Sequence, residues 1–178
     1  MSPQHLIRAA RTEDAGVLAR VHVATWRSSY GGLIPQAYLD RLDVADLESR
    51  WRSRLSLGGE TELAVVEVDG EVVGYASGGP ERERDLSYEG ELYGLYLLPA
   101  WQRQGIGRAL VAHVAGRLMG AGMRSMLVWV LAANAPARGF YEHLGGAFLR
   151  EHGLDLDEFT VREVAYGWGW QGMAGLGL

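Results

Sequence analysis

Leu95-Tyr96-Leu97-Leu98-Pro99-Ala100-Trp101-Gln102-Arg103-Gln104-Gly105-Ile106-Gly107-Arg108-Ala109-Leu110 has the pattern of a strand, a turn and a helix in succession. An apolar, strand-like run stops at Pro99 and a Gly-containing turn follows. Ile106, Leu110, Val114 and Leu118 then recur four apart, the spacing of one helix face. A strand entering a helix through such a turn aims several backbone N–H groups and the positive end of the helix dipole at one spot. That spot suits a pyrophosphate, because Gly105 and Gly107 let phosphate oxygens approach the backbone and Arg103 and Arg108 add charge. A dinucleotide fingerprint does not fit: Leu110 stands where its third Gly belongs, and the acidic residue expected about 20 positions on falls in the apolar run Met126 to Leu131.

On the N-terminal side, Glu62 to Val68, then Asp69-Gly70, then Glu71 to Ala76 reads as a hairpin, since Asp-Gly suits a type I′ turn. Before it come a short strand at Leu6 to Ala9 and a helix capped by Thr12 with a core stripe through Val17, Leu18, Val21, His22, Thr25 and Trp26. Gly31-Gly32 ends that helix; Pro35 opens a second to about Arg41, and Leu47, Trp51 and Leu55 mark a third. Pro80 to Ser87 is a charged loop, and the central strand runs from about Glu89 to Leu98. Beyond the Gly-rich turn, Met126 to Leu131 is a buried strand. Pro136 starts a helix ended by Gly145-Gly146, and two last strands, about Ala147 to Glu151 and Val161 to Trp168, flank a loop with Asp155 and Asp157. Residues 1–170 form one domain and 171–178 a flexible tail.

Composition narrows the function. An apolar content of 48% fills one core and speaks against disorder. A net charge of -5 argues against a nucleic-acid partner, which needs a basic footprint. All 17 basic residues are Arg, so a Walker-type loop and Schiff-base catalysis, both of which need Lys, are excluded. With no Cys there is no disulfide framework and no thiolate chemistry. No signal pattern and no apolar run near the ~20 residues of a membrane span is present, so a cytoplasmic protein is expected. The five His residues lack metal-site spacing, and no metal is expected.

Gln102, Gly105 and Gly107 match the pattern Gln or Arg, two residues, Gly, one residue, Gly or Ala. Asn134, Pro136, Ala137, Arg138, Phe140, Tyr141, Glu142, Leu144 and Gly145 match an Asn-x-x-Ala-x-x-x-Tyr segment with a terminal Leu-Gly. With both blocks the chain resembles the GCN5-related N-acetyltransferases from Leu63 to about Trp168, and less over the first sixty residues. The resemblance implies an α/β fold with a mixed, mostly antiparallel sheet of about seven strands and four or so helices, splayed at the coenzyme A site. It implies acetyl-CoA as cosubstrate. Leu95, Tyr96 and Leu97 would then hydrogen-bond the pantetheine arm through their backbone. The amides of Arg103, Gln104, Gly105, Ile106, Gly107 and Arg108, behind Gln102, would hold the pyrophosphate, and Asn134 with Ala137 and Arg138 would belong to the same cofactor-binding region.

The implied chemistry is direct attack of a neutral amine on the thioester, aided by a base and an acid. Tyr141 matches the family's general acid. Glu91, eleven positions before Gln102, matches the base of histone-type members, with Glu89 as the spare, and Glu91, Tyr93 and Leu95 share a face if the strand is regular. Trp26 and Tyr30, with Tyr38 and Trp51, lie in the acceptor-wall region, so Trp26 and Tyr30 are the candidate substrate contacts. The preferred acceptor is a small primary amine; acetylation of a protein N-terminus or lysine is the alternative, and a non-catalytic acyl-CoA sensor is the alternative of another class. Ribosomal-protein alanine acetyltransferases resemble the Gln-Arg-Gln-Gly block but carry Glu five residues before the motif Asn, where this chain has Trp129, which argues against that specificity. The acidic stretch Glu151 to Glu158 is a candidate attractor for a cationic acceptor. Trp168 and Trp170 pack either the last strand or a contact between two copies, which keeps a homodimer open.

Overall fold

The structure, a computed structural model, describes residues 5–83 and 87–176. Asp69 and Gly70 both take positive φ (53° and 83°), the type I′ geometry, so β2 (Glu62–Val68) and β3 (Glu71–Pro80) form the expected hairpin. With β1 (His5–Ala9), β4 (Gly90–Leu97), β5 (Ser125–Leu131), β6 (Ala147–Leu156) and β7 (Phe159–Gly169) they make one seven-stranded sheet, in the order β1-β2-β3-β4-β5-β7-β6. Only β4 and β5 pair in parallel. The α/β reading with a mixed, mostly antiparallel sheet therefore holds.

Each face of the sheet is covered by the helices whose apolar stripes match it. Helix α4 (Ile106–Gly120) sets Ile106, Leu110, Val114 and Leu118 against Val66, Leu92, Met126 and Val128. On the other face α1 (Ala15–Tyr30) and α3 (Val44–Leu57) set Leu18, Val21 and Trp51 against Leu63, Val65 and Tyr75. A third cluster joins Ile34 and Leu39, from α2 (Gln36–Asp40) and the loop before it, to Leu131, Leu156 and Val161.

Three expectations change. Thr12 does not cap α1; it opens a single 3₁₀ turn, and Asp14 instead accepts hydrogen bonds from the Arg8 guanidinium at 2.7 and 2.9 Å and from the Arg11 amide at 2.7 Å. The stretch around Asp155 and Asp157 is no loop: β6 and β7 run on into a tight hairpin. Its acids take part in the hairpin's own contacts, Glu151 with Arg162, Asp155 with Thr160, and Asp157 and Glu158 with Arg41. The end of the chain is packed rather than frayed. Trp170–Ala174 form α6, and Met173 and Leu176 are buried in the main core; the last two residues lie outside the described ones. The loop Pro80 to Ser87 likewise falls partly outside them.

Candidate active site

β4 and β5 pair only through Gly90↔Met126, Glu91↔Leu127 and Leu92↔Val128. Past Leu92 they diverge, β4 continuing to Leu97 and β5 to Leu131 unpaired with each other. A bulge drives the divergence: Ser77 faces Gly94 and Gly78 faces Leu92, so Tyr93 is the extra residue, and a bulged strand bends and twists. Gly78 permits this close approach, since a Cβ there would meet Glu91 O at 2.8 Å and Val114 Cγ1 at 2.6 Å. The divergence opens a cavity of about 1460 Å³ between these two central strands.

One limb of the cavity fits a coenzyme. Gly105 takes φ 83° as the N-cap of α4 and no side chain caps that helix, so the amides of its first turn stay open toward the cavity. Arg103, Gly105, Gly107 and Arg108 line this end, and Leu95, Tyr96 and Leu97 line the strand beside it. Arg103 itself has φ 62°, a left-handed conformation that the turn imposes on a non-glycine residue. Gln102 and Gln104 hold the turn: their side-chain amides donate to Leu97 O and Ala100 O, each at 2.9 Å. Ile106 anchors the turn from the core and is fully buried.

Of the coenzyme contacts expected from the Asn134 segment, Arg138 is the one corrected. Asn134 lines the cavity, but its Oδ1 accepts from the Ala137 amide at 3.2 Å and caps α5 (Ala135–His143), leaving only its N–H₂ group for a ligand. Arg138 points away from the cavity, where it donates to Tyr166 Oη at 3.0 Å and Ala132 O at 3.1 Å. The same helix presents Ala137, Phe140 and Tyr141 to the cavity. Tyr141 is 6% exposed at this lining, and burial pushes its phenol above the ordinary value of 10, so it keeps its proton through neutral pH.

Glu91 does not face the cavity. It is 1% exposed, and the Arg82 guanidinium binds both its oxygens while the Arg82 amide donates to Oε2 at 3.2 Å. The bulge also breaks the expected alternation. Leu95 joins Leu92 on the α4 face, whereas Tyr96 turns to the α1 face, where it packs on Tyr75 and His22. Glu89 is likewise engaged, at the Arg124 amide.

Trp26 and Tyr30 do line the cavity, as expected. Their rings meet edge to face at 4.8 Å, and Tyr38 packs on Trp26 at 5.9 Å. Tyr93, Tyr96 and Trp129 complete an aromatic wall. The residue that sequence reading missed is Glu163 of β7, a part-buried carboxylate on this side of the cavity. Its one sequence signal is a charge alternating with Val161 and Ala165 on an inward strand face. The Tyr30 phenol is raised chiefly by burial, and Tyr96, Tyr141 and Glu163 act on it from β4, α5 and β7. These groups therefore converge on one space.

His22 packs behind this wall rather than in it: its Nδ1 lies 2.7 Å from Tyr75 Oη and its ring stacks on Trp26 at 5.2 Å. Burial lowers its pKa from 6.5 to about 4. Between those values the unfolded chain binds the proton and the folded one does not, so stability should fall by up to about 3 kcal/mol as pH drops through this window. Urea midpoints taken at about pH 7 and about pH 4.5 should show this extra loss in the wild type and not in His22→Gln.

Among the described residues, no helix is long and apolar enough to cross a membrane, and no three His, Asp or Glu side chains gather in a metal-binding cluster. Residues 18–146 match the model of the acetyltransferase (GNAT) family. The chain is 40% identical over 162 residues to the uncharacterized N-acetyltransferase YuaI of Bacillus subtilis, covering 91% of each protein. It is also 40% identical to the ribosomal protein bS18-alanine N-acetyltransferase of Escherichia coli, over 78 residues that cover 46% of that enzyme. Among solved structures, yncA of Salmonella typhimurium, a putative acetyltransferase determined with acetyl-CoA, superposes with a TM-score of 0.69 at 22% identity over 93% of this chain and 94% of that one. The chain belongs to the GNAT acetyltransferase family, and it is an acyltransferase that uses acetyl-CoA.

Proposed function

We propose that the chain acetylates the primary amine of a small molecule, by direct transfer within a ternary complex. The observation that supports this reading best is the aromatic lining of the acceptor side. Trp26, Tyr30, Tyr93, Tyr96 and Trp129 wall it, beside Ile34, Leu131 and Leu156. Such a pocket suits a compact cation held over aromatic faces. A polypeptide acceptor calls for an open groove.

Acetyl-CoA, when bound, supplies the activated thioester carbonyl. The open first turn of α4 with Arg103 and Arg108 binds the pyrophosphate. The unpaired edge of Leu95, Tyr96 and Leu97 offers hydrogen bonds along the pantetheine arm, and an N–H of this edge is the oxyanion donor. Asn134 donates its amide N–H into the same limb. Tyr141 would give its phenolic proton to the sulfur as the C–S bond breaks, and would regain one from the attacking nitrogen, which sheds its second proton in becoming an amide. A chain without Cys has no need of an oxidising compartment, in keeping with a cytoplasmic enzyme.

A second reading, acetylation of a protein α-amine, is favoured by the segment shared with the bS18-alanine enzyme. Thiol release from acetyl-CoA against polyamines, amino acids, aminoglycosides and N-terminal peptides separates the two. Turnover of a small amine and none of the peptides is the expected result; turnover of peptides alone would replace the first reading with the second.

A further inference from the structure

We propose that Glu163 is the carboxylate that receives the proton of the acceptor ammonium, with His152 as its positioning residue. The inference rests on the acetyl-transfer reading but not on the size of the acceptor. Glu163 and Glu83 are the two carboxylates among the described residues that line the cavity, and of these Glu163 is the more enclosed, its side chain 17% exposed against 44%. Glu91, the carboxylate that position on the strand would suggest, is sealed beneath Arg82.

The surroundings suit a proton acceptor. His152 sits directly across from Glu163 in the β6–β7 pairing, with its Nε2 3.5 Å from Glu163 Oε2 and its Nδ1 3.9 Å from Glu83 Oε2. Its ring lies flat on Trp129, centroids 3.9 Å apart at 7°, so the imidazole is held in one plane between the two acids. The other groups acting on Glu163 or acted on by it are Glu83 and Arg82 from the β3–β4 connection, Tyr96 from β4 and Tyr30 from α1. Arg82, the cation among them, is committed to Glu91. Burial raises the Glu163 carboxyl above the ordinary range and His152 draws it back, which brings the base closer to the amine it must serve.

In the step, one N–H bond of the ammonium breaks and its electron pair remains on nitrogen as the attacking lone pair. An O–H bond forms on Glu163, and the proton passes on to solvent at the half-exposed Glu83 end of the cluster. Tyr141, across the cavity on α5, remains the proton donor, so acid and base occupy different walls.

The test is the pH dependence of kcat/KM in thiol release, measured on the acceptor the enzyme turns over. Glu163→Gln should lower kcat/KM about 10²-fold near neutral pH, with the deficit shrinking as pH approaches the amine's own pKa of about 10, because a neutral amine needs no base. His152→Gln should shift the acid limb to higher pH, since His152 favours the Glu163 carboxylate. A Glu163→Gln variant with the wild-type profile, or with an equal loss at every pH, overturns the proposal. A measurement on the wild type covers failure of the variant to fold. The ¹³C-labelled Glu163 carboxyl resonance, assigned through the β7 backbone, should move when n-butylammonium is added, and a resonance that titrates with pH yet ignores this probe also overturns it. A wild type that acetylates peptides alone removes the small-molecule reading and leaves this one to be decided by the same comparison on the peptide.

Discussion

Tyr141→Phe should lower kcat by roughly 10²-fold, the usual scale for loss of a positioned acid, while leaving the KM for acetyl-CoA close to its wild-type value. The substitution removes one oxygen and keeps the ring, which packs against Phe140 at 5.1 Å and Trp168 at 6.2 Å, so the wall of the cavity should keep its shape. The Tyr141 phenol is raised by burial. It should therefore act as a donor throughout the neutral range, and the wild type should lose this contribution only at alkaline pH. Steady-state kinetics with a saturating acceptor are the direct check. An unchanged kcat would mean that water protonates the leaving thiolate, and the role given to Tyr141 would fall.

The largest effect on stability is expected from Trp168→Ala, at about 3 to 5 kcal/mol for truncation of a fully buried Trp. Trp168 is 2% exposed at the junction of β7 with α6, and its indole N–H donates to Leu144 O at 2.9 Å. Gly146 and Gly172 both lie against the ring. The variant leaves a cavity and strands a buried carbonyl, and for a chain of this size the melting temperature should fall by roughly 10 °C. Trp170→Ala is the control. That ring is 49% exposed, and its loss should change stability by no more than about 0.5 kcal/mol. Urea unfolding of both variants decides the matter, and equal destabilisation would sink this account of the C-terminal packing. Trp168 also bounds the Tyr141 ring, so its removal should lower activity secondarily.

How far the site was legible follows from the range of the interactions involved. The turn from Leu97 to Ile106 is local: Pro99 stops the strand, Gly105 supplies the left-handed N-cap, and the i+4 stripe of α4 can be counted along the chain. The hairpin at Asp69-Gly70 and the start of α5 after Asn134 are local in the same sense. The partner of a carboxylate is not local. Glu91 looked available because nothing in its own strand occupies it, and Arg82 reaches it from across a loop. Glu163 looked like an ordinary strand charge until β6 and β7 paired His152 opposite it and the β4–β5 divergence opened a cavity on its face. Arg138 and Asn134 sit in the motif where expected, but the direction of each side chain was set by Tyr166, Ala132 and the Ala137 amide.

Most elements, their order and the Gly-containing turn before α4 could be read along the chain, because propensity, turn chemistry and hydrophobic period act over a few neighbouring residues. Only the tertiary structure decided which acids face the cavity and which are spent on an Arg, because a single bulged residue at Tyr93 and the pairing of strands far apart in sequence set the direction of every side chain beyond them.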